Sequence, residues 1–201
     1  MKITEHIAAV ASEGKLLAAA AEQGRFDVAV PTCPGWEMRD LVRHLSEIHM
    51  WAAAHVAQPH YKPWIDDLSE LVEFWPELAV FWPEDDALIE QYLGTNVNLV
   101  RALESAPLDL ETFTFLPAPS PLAMWARRQA HETAVHRFDA ENAVGITSEF
   151  DPAFAADGVD ELLAAFAPRK QEFPVGSSKT MHVHAADTDD HWLMTLSLIH
   201  I

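Results

Sequence analysis

Glu132 and His136 lie four residues apart in the run Trp125-Ala-Arg-Arg-Gln-Ala-His-Glu-Thr-Ala-Val-His-Arg-Phe-Asp139, which reads as uninterrupted helix. That spacing brings a carboxylate and an imidazole to one helix face. Such a pair supplies two ligands for a divalent metal. The best candidate for a third is His44, in the segment Cys33-Pro-Gly-Trp-Glu-Met-Arg-Asp-Leu-Val-Arg-His-Leu45. Two imidazoles and one carboxylate leave positions open on a zinc-like ion, as catalytic sites do and closed structural sites do not. An external ligand is then expected. A thiol in that position would be held as a nucleophilic thiolate, whereas water would make a hydrolase.

The same residues have plainer readings. A Glu/His pair at helical spacing is often a solvated face, and an inward histidine is often a hydrogen-bonded core residue. Two details favour the metal. An Arg128–Glu132 ion pair, which would explain Glu132 innocently, runs in the less favourable order along a helix. The stripe Trp125, Gln129, Glu132, His136 is also polar where a bundle helix should be apolar. His131-Glu132 invites comparison with the His-Glu-x-x-His protease signature, but the second histidine comes one residue late, so His131 and His136 diverge. His49, five residues beyond His44, is expected to turn away from the site. His55 returns to the His44 face roughly 16 Å along. Cys33 reads as a small packing residue, since no helix start or basic cluster adjoins it to lower its pKa. Trp36, Trp51 and Trp125 read as core, with Trp125 and Gln129 as candidate walls of a pocket.

These side chains need a scaffold. Apolar residues at Ile3, Ile7, Val10, Leu17 and Ala21 predict a first helix to about Gln23, stopped by Gly24. Leu41, His44, Leu45, Ile48, Trp51 and Ala52 form one stripe of a second helix over about 37–56, which points His44 inward. Phe74-Trp-Pro76 and Phe81-Trp-Pro83 break any long helix in 59–84, which reads as a partly helical connection. A third helix is predicted over Asp85 to Ser105. A fourth begins at Ser120, with Pro121 in its first turn, and ends before Gly145. Four such helices suit a bundle about 30 Å long. The fold class is therefore mainly α: a four-helix bundle over 1–145, then a partial carboxy-terminal segment over 146–201. In that segment, Asp151 to Phe166 predicts a short amphipathic helix and 168–178 a polar linker. Met181, Val183 and Ala185, then Trp192, Met194, Leu196 and Leu198, alternate as two strands of a hairpin about an Asp187–Asp190 turn. His182 and His184 share a strand face; they could bind a metal, but solvent exposure is the plainer reading. Two strands alone are marginal, so the hairpin is expected to dock on helices or to pair across a homodimer.

Composition narrows the functions. The chain has 201 residues, 49% of them hydrophobic, enough for a sizeable core. Thirteen basic against thirty-one acidic side chains give a net charge of -18, which repels nucleic acid and anionic membrane surfaces. Glu5, His6, Glu13 and Lys15 interrupt the amino-terminal apolar run, and no stretch has the length of a membrane span. One cysteine cannot form an internal disulfide and suits a reducing compartment. A cytoplasmic protein with no nucleic acid or membrane partner is expected.

Three segments resemble the mycothiol-dependent maleylpyruvate isomerase family, whose amino-terminal part is a DinB-like metal-binding four-helix bundle. They are Pro31-Thr-Cys-Pro-Gly-Trp-Glu-Met-Arg-Asp-Leu-Val-Arg-His44, the helix from Trp125 to Glu141, and Asp157-Gly-Val-Asp-Glu-Leu-Leu163 followed by Met181-His-Val-His-Ala185. The family's metal triad is a histidine eight residues after the Gly-Trp tryptophan, with a glutamate and a histidine four apart on the last bundle helix. The resemblance places these at His44, Glu132 and His136. It also implies mycothiol as the thiol cosubstrate. The expected activity is S-transfer to, or isomerisation of, a small electrophile, with zinc the leading metal. The family continues into a fuller α/β domain that contributes to the isomerase's substrate site, whereas this sequence runs only into its first strands. A non-catalytic module that holds metal and thiol is therefore the alternative, alongside the water-using hydrolase.

Overall fold

Apolar side chains at helical spacing generate four long helices in a computed structural model that describes residues 1–58, 83–169 and 179–196. Helix α1 (Ile3–Gln23) turns Ile7, Val10, Leu17 and Ala21 onto one side, and all four are buried. Helix α2 (Met38–Ala57) opens with a reciprocal cap in which the Glu37 N–H donates to Asp40 at 2.9 Å. Helix α3 spans Asp85–Ser105. Helix α4 (Pro121–Ala143) begins where Ser120 Oγ accepts the Ala123 N–H at 3.2 Å, with Pro121 in the first turn, where its missing N–H costs nothing.

Helices α1 and α2 each pack on both α3 and α4, so the order around the bundle is α1, α4, α2, α3. Leu17, Ala21, Met38, Leu41, Leu45, Leu88, Tyr92 and Ala140 meet in one buried cluster. Each fully buried leucine there contributes about 1.5–3 kcal/mol relative to exposure. Gly14 of α1 has no side chain to obstruct Asn96 of α3, whose amide donates to the Val10 carbonyl at 3.1 Å. A Cβ at position 14 would collide with that amide, so the seam depends on glycine.

Between α1 and α2 the chain doubles back. The Val30 N–H donates to Trp36 O and the Met38 N–H to Val28 O, at 2.9 and 2.8 Å. Its tip, Cys33-Pro34-Gly35-Trp36, closes with a 3.0 Å bond from the Trp36 N–H to Cys33 O, and Gly35 has φ 87°. That is a type II turn, with proline and glycine where the turn requires them. It leaves Trp36 at the base of α2.

The described residues from Glu149 onward belong to a second compact unit. Asp151 accepts the Phe154 N–H at 3.0 Å and caps α5 (Pro152–Asp160). The regular helix expected as far as Phe166 instead widens into a π-turn over Glu161–Phe166 and tightens over Ala167–Arg169. The change follows Gly158, the weakest helix former short of proline. Strands β1 (Lys179–Ala185) and β2 (Asp190–Leu196) form an antiparallel hairpin that pairs His184 with His191 and Val183 with Trp192. The Trp192 indole donates to Asp160 at 3.2 Å and ties this hairpin to the end of α5. Residues 59–82 of the connection expected over 59–84, residues 170–178 of the linker expected over 168–178, and residues 197–201 lie outside the described residues. No helix among the described residues is long and apolar enough to cross a membrane.

Candidate metal centre

His44 on α2 meets Glu132 and His136 on α4 across the seam between the two helices. Glu132 Oε1 lies 3.5 Å from His44 Nε2 and 3.3 Å from His136 Nε2. The imidazole centroids are 5.0 Å apart with planes at 82°. Tetrahedral ligands held about 2.0–2.2 Å from one ion sit roughly 3.3–3.5 Å from each other. The two measured separations match that spacing, and all three donor atoms lie within 4.8 Å of one another. All three side chains are half-buried.

The surroundings orient these side chains. His136 Nδ1 bonds Asp139 Oδ2 at 2.7 Å, one turn further along α4, so its Nε2 is the nitrogen turned toward Glu132. A carboxylate behind a ligating histidine fixes the tautomer and raises the ring's basicity. Asp139 is itself buried and also accepts the Cys33 thiol at 3.5 Å. Burial raises the Asp139 pKa, but hydrogen bonds from His136 and Thr32 outweigh it and hold the carboxyl below its ordinary value. The Arg128–Glu132 pair does form, at 3.1 Å, despite its unfavourable order. It engages Oε2 and leaves Oε1 to the imidazoles.

Charge follows the same geometry. Burial pushes the Glu132 carboxyl up, but hydrogen bonds from His136 and His44, with the Arg128 charge, hold it well below the usual carboxylate range. For His136, burial favours the neutral ring, yet the bonds to Asp139 and Glu132 prevail and raise it to about 9.

Trp36, expected in the core, does pack on it and also lies against the His cluster, 5.0 Å from the His44 ring and nearly parallel to His136 at 6.4 Å. The Pro34-Gly35 turn positions it there. Asp139 was legible as the third residue after His136 but was not singled out. His49, expected to turn away from the site, lies outside the His44/Glu132/His136 cluster. It is fully buried because α2 is covered by α3 as well as α4, and its Nε2 meets Thr133 Oγ1 at 3.0 Å. Trp125 and Gln129 precede Glu132 by about two turns and one. Both are buried, with Trp125 stacked on His55 and its indole donating to Phe113 O at 3.0 Å. His131 diverges from His136 and lies edge-on to His6 of α1 at 5.9 Å.

Four packed helices with a His/Glu/His cluster on one seam define the class: a helical bundle carrying a candidate metal centre. Residues 7–141, from the first turns of α1 to the last turn of α4, match the family described as the mycothiol maleylpyruvate isomerase N-terminal domain, and the chain belongs to that family. Comparison with curated proteins and with solved structures gave no match.

Proposed function

We propose that this bundle binds one divalent cation, zinc foremost, through His44 Nε2, Glu132 Oε1 and His136 Nε2, and activates a low-molecular-weight thiol against a small electrophile. Mycothiol is the thiol the family suggests, and S-transfer or isomerisation is the reaction class. The observation that carries this reading is a single carboxylate oxygen within 3.5 and 3.3 Å of two imidazole nitrogens, backed by Asp139. When bound, such a cation lowers the pKa of a coordinated thiol and so supplies a nucleophile near neutral pH.

The chain's own residues do the rest. Asp139 keeps the His136 proton on Nδ1 and frees Nε2. Arg128 anchors Glu132 by its second oxygen, so the carboxylate cannot swing away. Trp36 covers one side of the cluster with an apolar face and keeps water from part of it. Cys33 is not the nucleophile: burial and the Asp139 charge push its thiol up to about 11. We also take 1–145 as the metal-binding unit and 146–201 as a separate carboxy-terminal segment. A cytoplasmic location remains part of this reading.

The test incubates metal-loaded protein with mycothiol and a panel of cis-enones, epoxides and alkyl halides, following adducts and isomers by mass spectrometry. Thiol-dependent turnover that collapses in Glu132→Ala supports the proposal. Equal rates for wild type and Glu132→Ala across the panel would overturn it. The second reading is a module that holds metal and thiol without turnover. It predicts thiol binding with no product. Turnover without any thiol would instead mark a hydrolase.

A further inference from the structure

The outward face of the β1–β2 hairpin carries a second set of metal-type donors, unrelated to the bundle seam. Strand alternation puts His182 and His184 on one face of β1, and the register sets His191 directly across from His184. The rings of His184 and His191 stack at 4.1 Å with planes only 8° apart, and His182 lies 5.1 Å from His191 on its other flank. All three are exposed. The turn joining the strands ends in Asp189, whose backbone is left-handed at φ 58°. That conformation is tolerated by aspartate better than by most residues. It brings Asp189 Oδ1 to 3.1 Å from His184 Nε2 and 3.3 Å from His191 Nε2.

We propose that His184 Nε2, His191 Nε2 and Asp189 Oδ1 form a surface site for a borderline-soft divalent cation of the zinc, nickel or copper type. Three observations carry it. The two N···O separations approximate the roughly 3.3–3.5 Å between ligands sharing one small ion, and all three donor atoms lie within 4.8 Å of one another. The donors are two imidazoles and a carboxylate, a set that selects these metals over calcium or magnesium. The far nitrogen of one ligand is already engaged: His191 Nδ1 lies 2.9 Å from His182 Nε2. Asp189 only accepts, so without a cation His191 Nε2 donates across their 3.3 Å contact; a cation would displace that proton and leave Nδ1 to donate to His182, the arrangement a ligating histidine needs. The stacked rings hold their lone pairs in parallel planes, so His184 and His191, both exposed, must reorient about χ1 and χ2 to face one ion. Exposure also leaves the remaining coordination positions to water, so the site is an open one. The paired hairpin holds all three donors within eight residues, so the backbone needs little ordering on binding. The net charge of -18 raises the local concentration of cations.

The inference does not depend on the bundle site, and its test separates the two. Full-length protein without an affinity tag is titrated with zinc, nickel and copper(II) salts in a non-chelating buffer by calorimetry. The His184→Ala/His191→Ala protein is expected to bind one ion fewer per chain than wild type. His182→Ala is expected to weaken that ion about tenfold, as loss of a partner behind a ligand does. Asp189→Gly suits the left-handed turn, so it removes the carboxylate without straining the hairpin, and it should abolish tight binding there. A His44→Ala/His136→Ala protein should keep the hairpin ion. Equal stoichiometry and affinity in wild type, His184→Ala/His191→Ala and Asp189→Gly would overturn the proposal, whatever the bundle binds.

Discussion

His136 and Asp139 stand one turn apart on α4, and the 2.7 Å bond between Nδ1 and Oδ2 turns the free ring nitrogen toward Glu132. A carboxylate in that position does more than pack. It sets the tautomer of the residue it supports. Asp139→Asn should lower metal affinity about 10–100-fold while leaving the helices intact. Competition with a coloured chelator, with circular dichroism as the control for folding, measures it; unchanged affinity would show that Asp139 does not orient the site.

Cys33 is near the cluster without belonging to it. Its thiol is pushed up to about 11, by burial first and then by the Asp139 charge, so almost no thiolate exists near neutrality. Reaction of native protein with a disulfide reagent at pH 7.5 should be far slower than after unfolding in urea. Cys33→Ala should keep the metal and any thiol-dependent activity. A fast native reaction would contradict this placement.

His49 gives the fold a pH dependence of its own. Burial lowers its pKa from 6.5 to about 3, so as pH falls the unfolded chain takes up this proton first. The stability it allows is intact above about pH 6.5 and is lost progressively as pH falls toward 3. One such group costs up to about 1.4 kcal/mol per pH unit within that window. Urea unfolding between pH 7.5 and 4.5 should show wild type losing stability more steeply than His49→Gln, which keeps a donor for Thr133 but cannot titrate. Parallel losses in the two proteins would contradict the assignment.

The helices were legible because their apolar spacing and stop signals agree. Ser120-Pro121 opens α4, Gly24 ends α1, and both lie where the pattern put them. The inward stripe of α2 made His44 a candidate, but its pairing with Glu132 and His136 rested on the family motif, because spacing along one helix says nothing of which helix lies opposite. The packing of Trp36 on the His cluster and the full burial of His49 were not legible. Trp36 depends on a type II turn whose direction becomes visible only once the chain has doubled back. His49 depends on α2 being covered on two sides, a property of the bundle's packing order rather than of the α2 sequence. The π-turn after Asp160 leaves no mark in the apolar pattern beyond a glycine.

The account stands most directly on the metal content of untagged protein after exhaustive dialysis, read by mass spectrometry of the elements. Wild type should retain about one tightly held zinc-class ion per chain. His44→Ala, Glu132→Ala and His136→Ala should each lose it, while His184→Ala keeps it. Wild type that can neither retain nor rebind an ion, or His44→Ala and His136→Ala proteins that hold it as tightly as wild type, would contradict a metal centre at the α2–α4 seam.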